Sequence, residues 1–297
     1  MHKFIPTHWN RNTHILVTRY TWPIEEYLKG HAIIVHINNL DDILNIKRHL
    51  HDTTRVHAFI YTDQFASLET IDINPEWGNI PIVLYLNRLG QLRNIHEKIA
   101  MIRNMNMMLI FTGSEQQTTT DAQIAASLGI HAGISLNSES ALSDSVLDLL
   151  TYTFYGTCPH ADIEPFSTIG RYYDGESYVN PAIAQFINPS RYIYVDKDLH
   201  LAFSQEALDN GDYFDQGMDK LYDISANQAI EKENNKWQQM FIEPHPCTFC
   251  AAFRICMGYF ESQKDKGRCS LVMTELLEAI EHSKKKTSQT NRELCQL

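Results

Sequence analysis

From about residue 31 to residue 150, short apolar or β-branched runs alternate with longer amphipathic segments, and no other feature limits the possible folds as much. The strand candidates are AIIVHI (32–37), HAFIYT (57–62), IPIVLYL (80–86), MMLIFTG (107–113) and HAGISL (131–136). Between them lie helix candidates. Asp41 and Asp42 are placed to cap and charge a helix running to about Leu50, and residues 91–103 carry Leu92, Ile95, Ile99 and Ile102 at helical spacing. Thr120 or Asp121 is expected to open a third helix, which Gly129 would close. Repeated strand–helix–strand units imply a parallel sheet, open or curled, and hence an α/β fold. ADIEPF (161–166) offers a sixth strand.

The texture then changes. Gly156, Pro159, Pro165, Gly170, Gly175, Pro181 and Pro189 punctuate an irregular, tyrosine-rich stretch. It divides an N-terminal domain (1–157, extending to about 166) from a connection (158–190) and a C-terminal domain (191–297). RYIYVDKDLHLAFS reads as a β-hairpin around Asp196 to Asp198, although it lacks an Asn-Gly turn. A helix carrying Ile230, Trp237 and Met240 is expected to follow. A last helix places Val272, Leu276, Ala279 and Ile280 in one stripe, with Lys284 to Lys286 near its end and a polar tail from Thr287 expected to fray.

Composition excludes several classes. Hydrophobic residues are 43% and charged residues 21% of 297, the balance of an ordinary globular chain, and no apolar run approaches the ~18 residues of a membrane span. A net charge of -11 repels phosphate backbones and anionic lipid, so neither nucleic acid nor membrane is expected as a partner. The opening MHKFIPTHWNRN lacks the apolar core of a secretory signal, which makes the cytoplasm the expected compartment. In that reducing setting, grouped cysteines point to a metal or to catalysis rather than to disulfides.

Four of the six cysteines are grouped. PHPCTFCAAFRICMGYFESQKDKGRC places Cys247, Cys250, Cys256 and Cys269 in a CxxC, x5, C, x12, C array. A CxxC turn aims two thiolates at one centre, and two further cysteines complete a shell that suits zinc or an iron–sulfur cluster. Arg254, Lys264, Lys266 and Arg268 lie within or beside the array, where cations would balance its negative charge. His245 stands ready to hydrogen-bond a sulfur or to serve as a substitute ligand.

The order of hairpin, YFDQGMDKLYDIS, a helix ending in WQQMFIEPHPCTFCAAFRICMGYF, and a separated cysteine resembles the SPASM domain at the C-terminus of radical S-adenosylmethionine (radical SAM) peptide maturases. The resemblance covers residues 190–282. It implies that Cys247, Cys250, Cys256 and Cys269 bind one auxiliary [4Fe-4S] cluster, with zinc as the alternative cofactor. It also implies a partial (β/α) barrel like the radical SAM core, followed by a small α+β SPASM-like domain. The departures from the family are specific. Phe260 stands where a ligand of a second auxiliary cluster would be, and residues 191–240 hold no cysteine. No cysteine precedes Cys158, so the CxxxCxxC loop that cleaves S-adenosylmethionine is missing, as is a GGE-like motif after HAFIYT. The resemblance is therefore to a degenerate, pseudo-radical SAM protein. It implies a non-catalytic accessory subunit in the maturation of ribosomally made peptides, in a hetero-oligomer with a precursor peptide, a radical SAM maturase, or both. A zinc-stabilised scaffold and an enzyme working from the barrel face are the other readings. The hairpin edges are where an extended peptide would add as a strand.

The remaining candidates are isolated. Cys158 and His160, two apart in GTCPHAD, sit where a nucleophile or an extra ligand could be placed, though the sequence shows neither a base nor an oxyanion site for them, and Glu164 sits at the end of a strand where barrel enzymes gather their ligands. Cys295 lies in the polar tail. His36, His49, His51 and His57 share no compact motif and are expected at the surface or satisfied in the core.

Overall fold

The computed structural model describes residues 14–19, 28–50, 52–136, 142–221, 223–261 and 266–294; of the side chains of residues 64, 266 and 287–294 nothing is said. Its N-terminal half alternates β1 (Ile15–Arg19), β2 (Ala32–Ile37), α1 (Asp42–His49), β3 (Arg55–Ser67), β4 (Ile82–Arg88), α2 (Leu92–Ile102), β5 (Met107–Phe111) and α3 (Glu115–Ser127). There follow β6 (His131–Ile134), α4 (Asp144–Tyr155), β7 (Ile163–Glu164) and α5 (Phe166–Tyr172). The later part adds β8 (Tyr192–Val195), β9 (His200–Ala202), α6 (Gln205–Asn210), β10 (Asp215–Gln216), α7 (Ile224–Asn234), α8 (Gln239–Ile242), α9 (Phe253–Cys256) and α10 (Lys266–Leu294).

The ten described strands form one sheet in the order β10-β9-β8-β1-β2-β3-β4-β5-β6-β7. From β1 to β7 neighbours follow chain order and are parallel, and β8 adds in parallel to the other side of β1. Among the described strands β9 alone runs against the rest, pairing antiparallel with β8 on one side and with β10 on the other. The fold is α/β, as the alternation requires. Strands from both sides of the irregular connection thus share one sheet.

The two faces of the sheet bury different partners. Ile33, Val35, Phe59, Leu84, Leu109 and Phe111 pack in one cluster with Ile43 and Ile46 of α1, Ile95 and Ile99 of α2, Ala122 and Ala125 of α3, and Leu149 of α4. The other set, including Val17, Ile34, Ile60, Val83 and Ile110, meets Ala184, Phe186, Tyr192 and Tyr194. A right-handed crossover repeated in one direction keeps its helices on one face, so the opposite face must be covered by something else. Here the chain covers it with the connection itself, through a 3-10 turn at Pro181–Gln185 and Phe186.

Several expected elements shift. The sheet has a strand before residue 31, β1, which lies inside it between β8 and β2. The third helix begins at Glu115 rather than Thr120: Thr118, Thr119 and Thr120 hydroxyls donate to carbonyls of Glu115 and Gln116, so the β-branched run sits inside the helix. Asp121 is buried, and its carboxylate accepts the Leu89 backbone N–H at 2.8 Å. Gly129, at φ +79°, ends that helix as expected. The expected helix through Ile230, Trp237 and Met240 is broken, because α7 ends at Asn234 and a 3-10 turn carrying Trp237 separates it from α8. The hairpin forms without Asn-Gly because Asp196 accepts backbone N–H bonds from Asp198 and His200. The last helix runs from Lys266 to Leu294 and so includes the polar tail from Thr287. No described helix is long and apolar enough to cross a membrane.

Tyr192, on the face opposite the helices, is fully buried and its hydroxyl has no hydrogen-bond partner among the described residues. An unpaired buried hydroxyl costs ~1–3 kcal/mol. Tyr192→Phe is therefore expected to stabilise the fold by about 1 kcal/mol, read as a raised thermal midpoint; a lowered midpoint would show that the hydroxyl is satisfied.

Candidate metal centre

The CxxC turn is built on a short 3-10 helix, Pro246–Phe249, opened by His245. The His245 Nδ1 accepts the Cys247 backbone N–H at 3.3 Å, and the Thr248 hydroxyl donates to the His245 carbonyl at 2.7 Å. His245 thus caps the ligand turn rather than bonding a sulfur. Cys256 closes α9, and Cys269 lies in the first turns of α10. From these three elements the four cysteines line one cavity of about 200 Å³. Its other walls are largely apolar: Pro246, Phe249, Phe253, Phe260 and Met273. None of the five described cysteines is in a disulfide.

Cys256 is the buried member. Burial pushes its thiol up to about 11, against the pull of backbone N–H groups of Phe260, Gly258 and Tyr259, while the nearby Cys247 raises it further. Those three amides converge because Met257 (φ 50°) and Gly258 (φ 78°) take left-handed backbone conformations just after the cysteine. Successive N–H groups aimed at one atom make a nest for negative charge, suited to a metal-bound thiolate. The Cys250 Sγ lies 3.7 Å from the Ser270 Oγ. Phe260 is buried beside the cavity, with its ring set edge-on to Tyr259.

The cations expected around the array are engaged elsewhere. Arg254 donates to the Gly175 carbonyl at 2.6 Å, and Arg268 pairs with Asp144 and donates to the Leu142 carbonyl, tying α10 to α4. Lys264 and the Lys266 side chain lie outside what is described. The donor set fits a thiolate-bound centre, but its spacing is wide. Among the described residues, the ligand atoms gathered within 4.8 Å of one another belong to Asp196, Asp198 and His200, not to three of the cysteines. Tetrahedral zinc with ~2.3 Å bonds holds its sulfurs about 3.8 Å apart.

The Asp196, Asp198 and His200 group was not apparent from spacing alone. Its atoms are occupied by the hairpin: Asp196 accepts from His200 Nδ1 at 2.8 Å, and Lys197 pairs with Asp198 at 3.2 Å.

The structure does not assemble the other candidates. Cys158 is exposed, while the His160 ring lies 4.8 Å from the Tyr152 ring and its Nδ1 is 2.8 Å from the Ala161 carbonyl oxygen. Glu164 is buried and accepts the Thr168 backbone N–H at 3.1 Å, which makes it a brace for α5. His36 and His57 are on neighbouring strands, His49 lies at the end of α1, and His51 and Cys295 fall outside the described residues. No protein-family model, curated protein or solved structure matches this chain.

His36 supplies a pH prediction. Burial, aided by the charge of Arg19, lowers its imidazole to about 4, well below the ordinary value for histidine. The unfolded chain therefore takes up a proton that the folded chain refuses. Stability is full above the unfolded value and falls as pH drops through this window, by up to ~1.4 kcal/mol per pH unit. His36→Phe should lose less thermal stability than the wild type between about pH 7 and pH 5. His14 and His31, also lowered by burial, would leave a residual slope. Parallel curves for the two proteins would refute a neutral buried His36.

Proposed function

We propose that this chain is a non-catalytic accessory subunit of peptide maturation that carries one [4Fe-4S] cluster on Cys247, Cys250, Cys256 and Cys269. The observation that carries the reading is the single cavity on which all four thiols converge. Its volume of about 200 Å³ is several times that of a liquid water, ~30 Å³, and a single ion in direct contact with four sulfurs would leave little of it open. No three of the four cysteine sulfurs all lie within 4.8 Å of one another, whereas tetrahedral zinc would hold them about 3.8 Å apart; the amide nest on Cys256 suits either metal-bound thiolate.

Bound by four thiolates, such a cluster has no open iron and supplies either one-electron transfer or a structural crosslink. The chain's own residues orient and shield it. The 3-10 turn presents Cys247 and Cys250, Phe253 and Phe260 keep the interior wall dry, and the 258–260 amides hold the buried sulfur.

A partial (β/α) barrel related to the radical SAM core is supported by strands in chain order with helices on one face. Two features favour a binding role over radical chemistry. No cysteine precedes Cys158, and the face opposite the helices is packed with Ala184, Phe186, Tyr192 and Tyr194. Precursor peptide and a maturase are the partners that this reading assigns, and the cytoplasm is the compartment.

Anaerobically purified protein should contain iron and acid-labile sulfide in equal amounts, about four of each per chain, and Ser replacement of any of the four cysteines should lower both. Cys158→Ser and Cys295→Ser should leave them unchanged. Stoichiometric zinc without sulfide would overturn the cluster.

A further inference from the structure

A groove of about 1490 Å³ runs beside the metal centre. One wall is the connection around Tyr178 and Asn188; the other is the C-terminal part of α7 with the turn and helix that follow it. Small-molecule sites usually occupy ~300–1,000 Å³, so this space suits a length of polymer better than a metabolite. The two walls meet in an aromatic stack, Tyr178 on Trp237, with centroids 5.3 Å apart.

The lining has a definite sign. Glu231, Glu233, Glu243 and Glu261 face the groove, and among the described residues the one lysine there, Lys236, is already paired with Glu233 at 2.7 Å. Carboxylates beside exposed aromatic faces attract lysine and arginine, through ion pairs and through the ring faces. Asn234 and Gln239 contribute amides that match the N–H and C=O groups of an extended backbone. The same acidity repels a phosphate polymer.

We propose that this groove binds an extended, lysine- or arginine-rich peptide segment, an inference that rests on the accessory-subunit reading and narrows it to a cationic ligand. Its position also links binding to the metal centre. Gly258 lines both the groove and the cysteine cavity, so the bound segment lies against the peptide planes that donate to the Cys256 sulfur.

The test uses the full chain and a fluorescently labelled peptide of alternating lysine and serine, followed by anisotropy. Binding that weakens with salt, and that falls about tenfold or more in the Glu231→Lys/Glu243→Lys protein, is expected. Trp237→Ala should also weaken it. Equal binding of a glutamate–serine peptide, or unchanged affinity in the double variant, would each overturn the assignment. Iron and sulfide measured on the same samples separate the two claims. Failure of peptide binding with the cluster intact removes the groove assignment alone, and binding that persists without iron and sulfide removes the cluster alone.

Discussion

The parallel pairing of β8 with β1 holds the molecule together across its length. Ile15 aligns with Tyr192, Leu16 with Ile193 and Val17 with Tyr194, joining segments that the irregular connection would otherwise leave apart. The hairpin hangs from that join. The same strand places Tyr192 and Tyr194 on one face and Ile193 and Val195 on the other, so the later part of the chain contributes to both cores. Weakening this ladder would loosen the hairpin and the opposite-face packing together.

The α/β alternation was legible because parallel strands buried on both faces read as continuous apolar runs, and residues 32–37 and 107–111 fall where such runs do. β1 was not legible for a related reason. ILVTR is a short run with no clear amphipathic segment after it, and its interior place in the sheet depends on β8, some 177 residues further along the chain, as well as on β2. The start of α3 was misread because a threonine run resembles a helix cap, whereas here the hydroxyls turn back onto the preceding carbonyls. Local chemistry has two solutions, and burial of Asp121 beneath Leu89 selected the second.

At the metal centre, spacing in the sequence identified the four thiols, because a CxxC turn and its later partners are a local pattern. The shell around them was not legible. Charge counting placed Arg254 and Arg268 near the sulfurs, yet both guanidiniums serve carbonyls and a carboxylate that fix α9 and α10 against the rest of the fold. What replaces them is backbone: three successive amides directed by left-handed residues at 257 and 258. Only the glycine hinted at it.

Both ends of the sheet finish on strands of two residues, β10 at one edge and β7 at the other. The hairpin therefore offers almost no open ladder for an added strand, and the peptide edge expected from sequence is largely closed by β10. The same brevity guards the protein against itself. A long sheet rich in isoleucine, valine and leucine would be a template for fibrillar self-association, and edges too short to register a neighbouring chain remove the sites at which such growth begins.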